Sequence, residues 1–317
     1  MKELSTEPCM SSRDNLYAFV MRLIVFLLSI TVAVVILFFS SRYLSRESLI
    51  IDDGISILVC GDSHTMSAVN DSVLSSSMNI SNTSQPFFYT YSVLVPLLAR
   101  NPQIQTVLLG YSFHSVSSIM DDILFNSDLA KNNCVRRNNY LAVADLSYVV
   151  QLVRTDGIQI LVLVSLKQIW KSLHPEGIHD VMFIGKYYPS TGQNLTDENV
   201  EAAIQRHYYY ESGLVRYGIA EYQINYLYKI AELCNQNEIE LFLVNTPVST
   251  QYYEAIPQNY IDNFYYIAST VDATLLDFHD SSLPDSCYGN ADHLNYYGAA
   301  EFSLLLDSIL DHRLSTH

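Results

Sequence analysis

Ile55-Ser56-Ile57-Leu58-Val59-Cys60-Gly61-Asp62-Ser63-His64 is the stretch on which the fold of this chain turns. Its first six residues form an apolar run short enough for a buried strand. Gly61 then allows a sharp turn, and Ser63 stands at the strand tip ahead of a helical stretch. In α/β enzymes that tip is where a nucleophile is exposed, and the serine amide there can face a developing oxyanion. Far downstream lies Asn290-Ala291-Asp292-His293-Leu294-Asn295, followed by Gly298-Ala299-Ala300 and a helical run. A serine at the head and a histidine at the tail of one α/β domain is a much stronger signal than Gly-Asp-Ser alone.

Between these ends, strands and helices alternate as in a doubly wound parallel sheet. The expected strands are Ile55–Cys60, Met78–Ser81, Gln105–Gly110, Glu238–Asn245 and Thr274–Phe278. The expected helices are Ser67–Met78, Phe87–Arg100 with Pro96 at a kink or break, Ile219–Gln236, Tyr260–Thr270 and Gly298–Leu310. Residues 125–215 break the rhythm. There Ile158–Leu166 fits either a strand or a buried helix, and tyrosine-bearing stretches at Tyr187-Tyr188 and Tyr208–Tyr210 surround it. This segment reads as an insertion covering the top of the sheet, and its tyrosines are candidates for stacking on sugars.

The chain has 317 residues, 49% of them hydrophobic. Leu23–Phe39 carries no charge, and with Tyr17–Met21 upstream it is long enough for the ~30 Å hydrocarbon layer. The polar lead is long and no A-x-A-like site follows, so residues 1–46 read as a tail and a retained signal anchor in the lipid bilayer. Residues 47–317 then form one extracytoplasmic domain. Lys2, Arg13 and Arg22 precede the span and Arg42 and Arg46 follow it, a thin positive-inside bias. Five of the 17 basic and three of the 33 acidic side chains lie in residues 1–46, leaving 12 and 30 beyond, a net charge of −18. Such a domain is unsuited to nucleic acid or anionic lipid headgroups.

Cys9, Cys60, Cys134, Cys234 and Cys287 show no C-x-x-C spacing, although a Cys134–Cys287 bridge is conceivable in an oxidising compartment. The nine histidines lack the spacing of a helical ligand pair, so neither a metal nor another cofactor is expected.

Gly61-Asp62-Ser63 together with His293, Asn295 and Gly298 resembles the SGNH (GDSL) hydrolase superfamily. The closest likeness is to its membrane-anchored branch, which includes the acetylation proteins of alginate systems and the D-alanyl-transfer protein of teichoic acid. The resemblance spans about residues 50–125 and 238–312. It implies a flavodoxin-like three-layer α/β/α domain and an acyl-enzyme mechanism, in which Ser63 attacks an ester and His293 takes its proton. It further implies an exported or cell-envelope glycan as acyl acceptor or acylated substrate, with a multi-span acyltransferase as partner if the reaction is transfer. The family's triad acid stands three residues before the histidine, where this chain has Asn290; Asp292 and the more distant Asp285 are the alternatives. The family's oxyanion glycine and asparagine are also missing, from Asn82–Gln85 and from Gly110–His114. The Ser63 amide, the Ser84 amide, and the Ser112 or His114 side chain are the able donors. Asp62, His64 and Gly110 complete the candidate oxyanion and substrate-binding set. A degenerate glycan-binding or assembly protein on the same fold is the alternative to an enzyme.

Overall fold

Five short strands build one parallel sheet in the computed structural model, which describes residues 12–125, 138–174, 177–192, 195–210, 215–281 and 283–314. They are β1 (Ile57–Cys60), β2 (Ser77–Asn79), β3 (Thr106–Gly110), β4 (Glu240–Asn245) and β5 (Thr274–Asp277). In space they run β2-β1-β3-β4-β5, every neighbour pair parallel. This is the flavodoxin-like order, in which the chain reverses its direction of winding between β1 and β3.

Among the described residues there are eleven α-helices. They are α1 (Ser12–Glu47), α2 (Ser63–Ala68), α3 (Phe87–Leu98), α4 (Ile119–Phe125), α5 (Leu146–Asp156) and α6 (Gln159–Leu173). After them come α7 (Asp197–Tyr208), α8 (Glu221–Gln236), α9 (Thr250–Ala255), α10 (Gln258–Ala268) and α11 (Tyr296–Leu314).

Strand residues alternate between the two faces of a sheet, and here both faces are covered, so the strands read as unbroken apolar runs. Leu58, Cys60, Val107, Leu109, Leu241 and Leu243 pack with Val93 of α3, Leu227 and Ile230 of α8 and Phe264 of α10. Their neighbours Ile57, Val59, Leu108, Phe242, Val244 and Leu276 pack with Ala68 of α2 and with Phe302, Leu306 and Leu310 of α11. The expected three layers follow from this split.

Several boundaries differ from the sequence reading. The first helix occupies Ser63–Ala68 rather than Ser67–Met78. It starts early because Asp62 caps it, with Oδ1 accepting the His64 amide at 2.9 Å. It stops because Asn70 and the serines beyond it bond the backbone in competing turns. The Asn70 amide donates to Ser303 Oγ at 2.8 Å, and Asn70 Oδ1 accepts the Ser72 amide at 3.0 Å. Ile158–Leu166 lies in a helix, α6, and Pro96 is accommodated inside α3. The insertion does not simply roof the sheet. Its α6 packs against α1, while α7 reaches α9 beside the strand tips. Cys134 lies outside the described residues.

The segment Asn15–Glu47 within α1 is long and apolar enough to cross a membrane. Its last turns belong to the folded domain, since Phe38, Ser41 and Ser45 are buried.

Two glycines allow the strand tips to meet. A Cβ on Gly110 would fall 1.7 Å from Thr65 Oγ1, and one on Gly61 would fall 2.7 Å from the same atom and 3.0 Å from Gly110 Cα. Thr65 is wedged between the ends of β1 and β3, and a methyl group there has no space. Gly110→Ala is therefore expected to destabilise the domain by about 1–3 kcal/mol or more in a denaturant titration, and adding Thr65→Ala should recover part of that loss.

Candidate active site

Ser63 is the first residue of α2, directly beyond the carboxyl end of β1 and at the reversal point of the sheet. In open α/β sheets this is the crevice where ligands bind. His293 arrives from the other end of the chain, and its Nε2 stands 2.9 Å from Ser63 Oγ. The two residues that sequence pairs across 230 positions are thus in hydrogen-bond contact.

The His293 ring is held from its other side. Nδ1 lies 2.9 Å from Asp292 Oδ1 and 3.1 Å from Asn290 Oδ1. Both are acceptors, so Nδ1 carries the proton and Nε2 presents its lone pair to the serine hydroxyl. Neighbouring side chains seldom face each other, and the loop explains this exception. Tyr288 and Leu294 form an antiparallel bridge, and the Gly289 amide donates to the His293 carbonyl at 2.9 Å. Inside that closed loop the Asp292 amide donates to Asn290 Oδ1 at 3.1 Å. This tight turn swings the Asp292 carboxylate beneath the ring that follows it. Asp285, in contrast, is exposed in a 3-10 turn.

Asp292 is the centre of the cluster. Its side chain is 1% exposed, and its Oδ2 lies 3.0 Å from an Arg206 guanidinium nitrogen, 3.5 Å from His64 Nε2 and 3.7 Å from His207 Nε2. Burial alone would raise its pKa, but the charge and hydrogen bond of His293, with help from His64, hold the carboxyl well below the usual range. Asp62 is built similarly. It bonds His114 Nε2 through Oδ2 at 2.6 Å while capping α2 through Oδ1. Burial raises its pKa, and the His114 ring more than offsets that and draws it far down.

Four histidines that look scattered in sequence gather here. Ring centroids are 4.4 Å apart for His64 and His114, 4.5 Å for His114 and His207, and 4.6 Å for His64 and His293. His207 Nδ1 is bonded to Tyr252 Oη at 2.7 Å. His64 is buried, and the acceptor facing its ring is Asp292, 3.5 Å from Nε2. Burial, reinforced by the nearby His114, lowers its pKa to about 4, so it is neutral at pH 7. Burial lowers that of His207 well below the ordinary value too.

Two sets, His64-His114-His207 and His64-Asp292-His293, each bring one ligand atom per residue within 4.8 Å of the others. Their orientation does not suit a metal. The His114 and His207 rings are within 20° of parallel, so their in-plane lone pairs run side by side instead of converging. In the second set, His293 already spans the serine and the acid.

The candidate oxyanion residues are placed less favourably. Ser84 is exposed in a turn at φ 50°. The buried Ser112 starts a 3-10 turn, its amide donating to Ser115 Oγ at 3.0 Å. His114 is committed to Asp62, and Gly110 serves the close approach of the strand tips. The Ser63 amide, at the start of α2, remains the donor nearest the nucleophile.

Arg206 and His207 escaped the sequence reading because they ride on the insertion. The stretch His207–Tyr210 stands out as a row of aromatics, but Tyr208 is fully buried in the core.

A model of an uncharacterised family matches residues 217–315, under a third of the chain. The matched stretch contains the Asn290–His293 loop but not Ser63. No curated protein matches the sequence.

The neutral burial of His64 gives a pH dependence with a definite sign. Its pKa falls from about 6.5 in the unfolded chain to about 4 in the fold. As pH drops, the unfolded state takes up the proton first. The stabilisation is complete above pH 6.5 and is lost as pH falls through about 4. The melting temperature is expected to decline over that window, and His64→Asn should flatten the decline.

Proposed function

We propose that this protein is a serine acyl-ester hydrolase or O-acyltransferase, held to a membrane by α1 and acting on an exported or cell-envelope glycan. The observation that carries the reading is the relay Ser63 Oγ–His293 Nε2 with Asp292 behind Nδ1, at the strand tip where ligands of such sheets bind. His293 takes the hydroxyl proton as Ser63 Oγ attacks the ester carbonyl, then returns it to the departing alkoxide. This leaves an acyl-serine. Water or a glycan hydroxyl then adds to the acyl carbon, giving its proton to His293, which passes a proton to the Ser63 oxygen as its bond to the acyl carbon breaks. Asp292 stabilises the imidazolium formed in each half.

Asp292, rather than Asn290, is the triad acid in this reading, because only it brings a charge. The glycan and the extracytoplasmic side rest on the resemblance to the membrane-anchored SGNH proteins and on the anchor-length α1. Transfer additionally requires an acyl donor, supplied by a multi-span acyltransferase partner. One observation favours a second reading, a non-catalytic glycan-binding protein: the Ser112 amide and the His114 ring are already hydrogen-bonded, to Ser115 and Asp62.

A fluorophosphonate probe needs no knowledge of the natural substrate. It is expected to label Ser63 in the full chain, with labelling lost in Ser63→Ala and in His293→Ala. Equal labelling of wild type and Ser63→Ala would overturn the enzyme reading. On a chromogenic acetate ester, Asp292→Asn should lower kcat by roughly 10³–10⁴, the scale seen when a triad acid is neutralised. Asn290→Ala removes two neutral hydrogen bonds, to the His293 ring and from the Asp292 amide, and should cost about 10–100-fold, less than the loss of the Asp292 charge. The reverse ranking would move the acid's role to Asn290's position.

A further inference from the structure

The most conspicuous exposed apolar surface outside α1 belongs to the insertion. On α6 the residues Leu163, Leu166, Trp170 and Leu173 recur at helical spacing along one face, and they are 53–64% exposed. Leu146 and Val150 continue the surface on the adjacent α5. The opposite face of α6, with Val164, Ser165 and Gln168, is buried. A helix of a folded domain normally turns its apolar stripe inward, whereas α6 buries Val164 with the polar Ser165 and Gln168 and leaves its leucines and tryptophan outside.

The direction of α6 relative to α1 indicates what covers the outer stripe. Ser41 Oγ donates to Ser165 Oγ at 3.1 Å, and farther along, Ser45 and Ser48 share a small cavity with Gln168, Lys171 and Ser172. The two helices therefore run in the same direction, offset by 124 positions. With an equal rise per residue, Ile158 is level with Val34 and Leu163 with Phe39, inside the uncharged run Leu23–Phe39. Lys167, Trp170 and Lys171 are level with Tyr43 to Glu47, in the zone of Arg42 and Arg46. Apolar residues beside the span, then tryptophan and lysines beside the flanking arginines, is the layering of a membrane interface.

We propose that the α5–α6 hairpin is a second membrane contact, inserted into one leaflet next to α1. Its first six α6-level residues, 158–163, reach about 9 Å into the apolar layer, within the depth typical of interfacial helices. The tip Arg154-Thr155-Asp156 is the deepest part and its polarity limits the depth to that of an interfacial helix, with Arg154 long enough to direct its charge back to the headgroups. The occupant of the stripe is lipid, acyl chains at Leu163 and headgroups at Leu166, Trp170 and Leu173, which are level with Arg42 and beyond. The inference rests on α1 crossing the bilayer, and the test keeps the two apart.

Trp170 is the sole tryptophan of the chain. The full chain is reconstituted in phosphatidylcholine vesicles containing lipid brominated near the top of the acyl chains. Two proteins are compared: wild type, and Trp170→Phe with Leu163→Trp. Both are expected to resist alkaline carbonate extraction, to be shielded from aqueous iodide, and to be quenched by the brominated lipid, more strongly at position 163. Chain retained by the vesicles but quenched by iodide and not by lipid overturns the hairpin alone. Quenching by neither puts protein on the stripe and overturns it as well. Extraction by carbonate overturns the span, and the hairpin with it.

Discussion

A buried carboxylate organises the site. Asp292 is shut away from water, and removing a charge from water costs several kcal/mol unless partners surround it. Its partners come from three distant parts of the chain: His64 from the β1 tip, Arg206 and His207 from α7, and His293 from its own loop. Each supplies a donor or a polar ring that the others cannot. The charge therefore stays buried only when the strand tip, the insertion and the C-terminal loop are assembled together. The geometry of the site and local folding are one event here.

The histidine cluster extends the same logic. Asp62 holds His114 and begins α2, so one carboxylate fixes both the turn that displays Ser63 and the ring that stacks on His207. His64 fills the space between His114 and His293 as a neutral ring whose Nε2 faces Asp292 at 3.5 Å. In the proposed mechanism an uncharged His64 adds no repulsion as His293 takes the serine proton. A second protonated ring 4.6 Å away would oppose that step.

Much of this was legible in the sequence, for identifiable reasons. The strands are read correctly because a sheet covered on both faces leaves apolar runs such as Thr106–Gly110 between turn residues. Ser63 and His293 are found because each follows a recognisable turn. Residues 63–78 are misread because Ser, Thr and Asn side chains there compete with the helix for its backbone bonds, which composition alone does not weigh. Arg206 and His207 carry no local signature, as their meaning depends on where an insertion folds back. The amphipathic character of α6 was hidden for a different reason. With Val164 turned inward and Leu163 and Leu166 outward, Ile158–Leu166 has the look of a buried strand as much as of a helix.

Asn290 makes physical sense once Asp292 is seen as the acid. Its amide oxygen and the Asp292 carboxylate meet the same His293 nitrogen, at 3.1 and 2.9 Å. An aspartate at 290 would set two carboxylates against one proton, and like charges that close raise a pKa until one of them is neutral. An asparagine offers the same acceptor oxygen without that conflict. It also receives the Asp292 amide, which is the bond that folds the loop and turns the neighbouring carboxylate under the ring. The neutral Asn290 is thus the counterpart of the carboxylate at 292: the negative charge sits beside the histidine, and the asparagine shapes the turn that brings it under the ring.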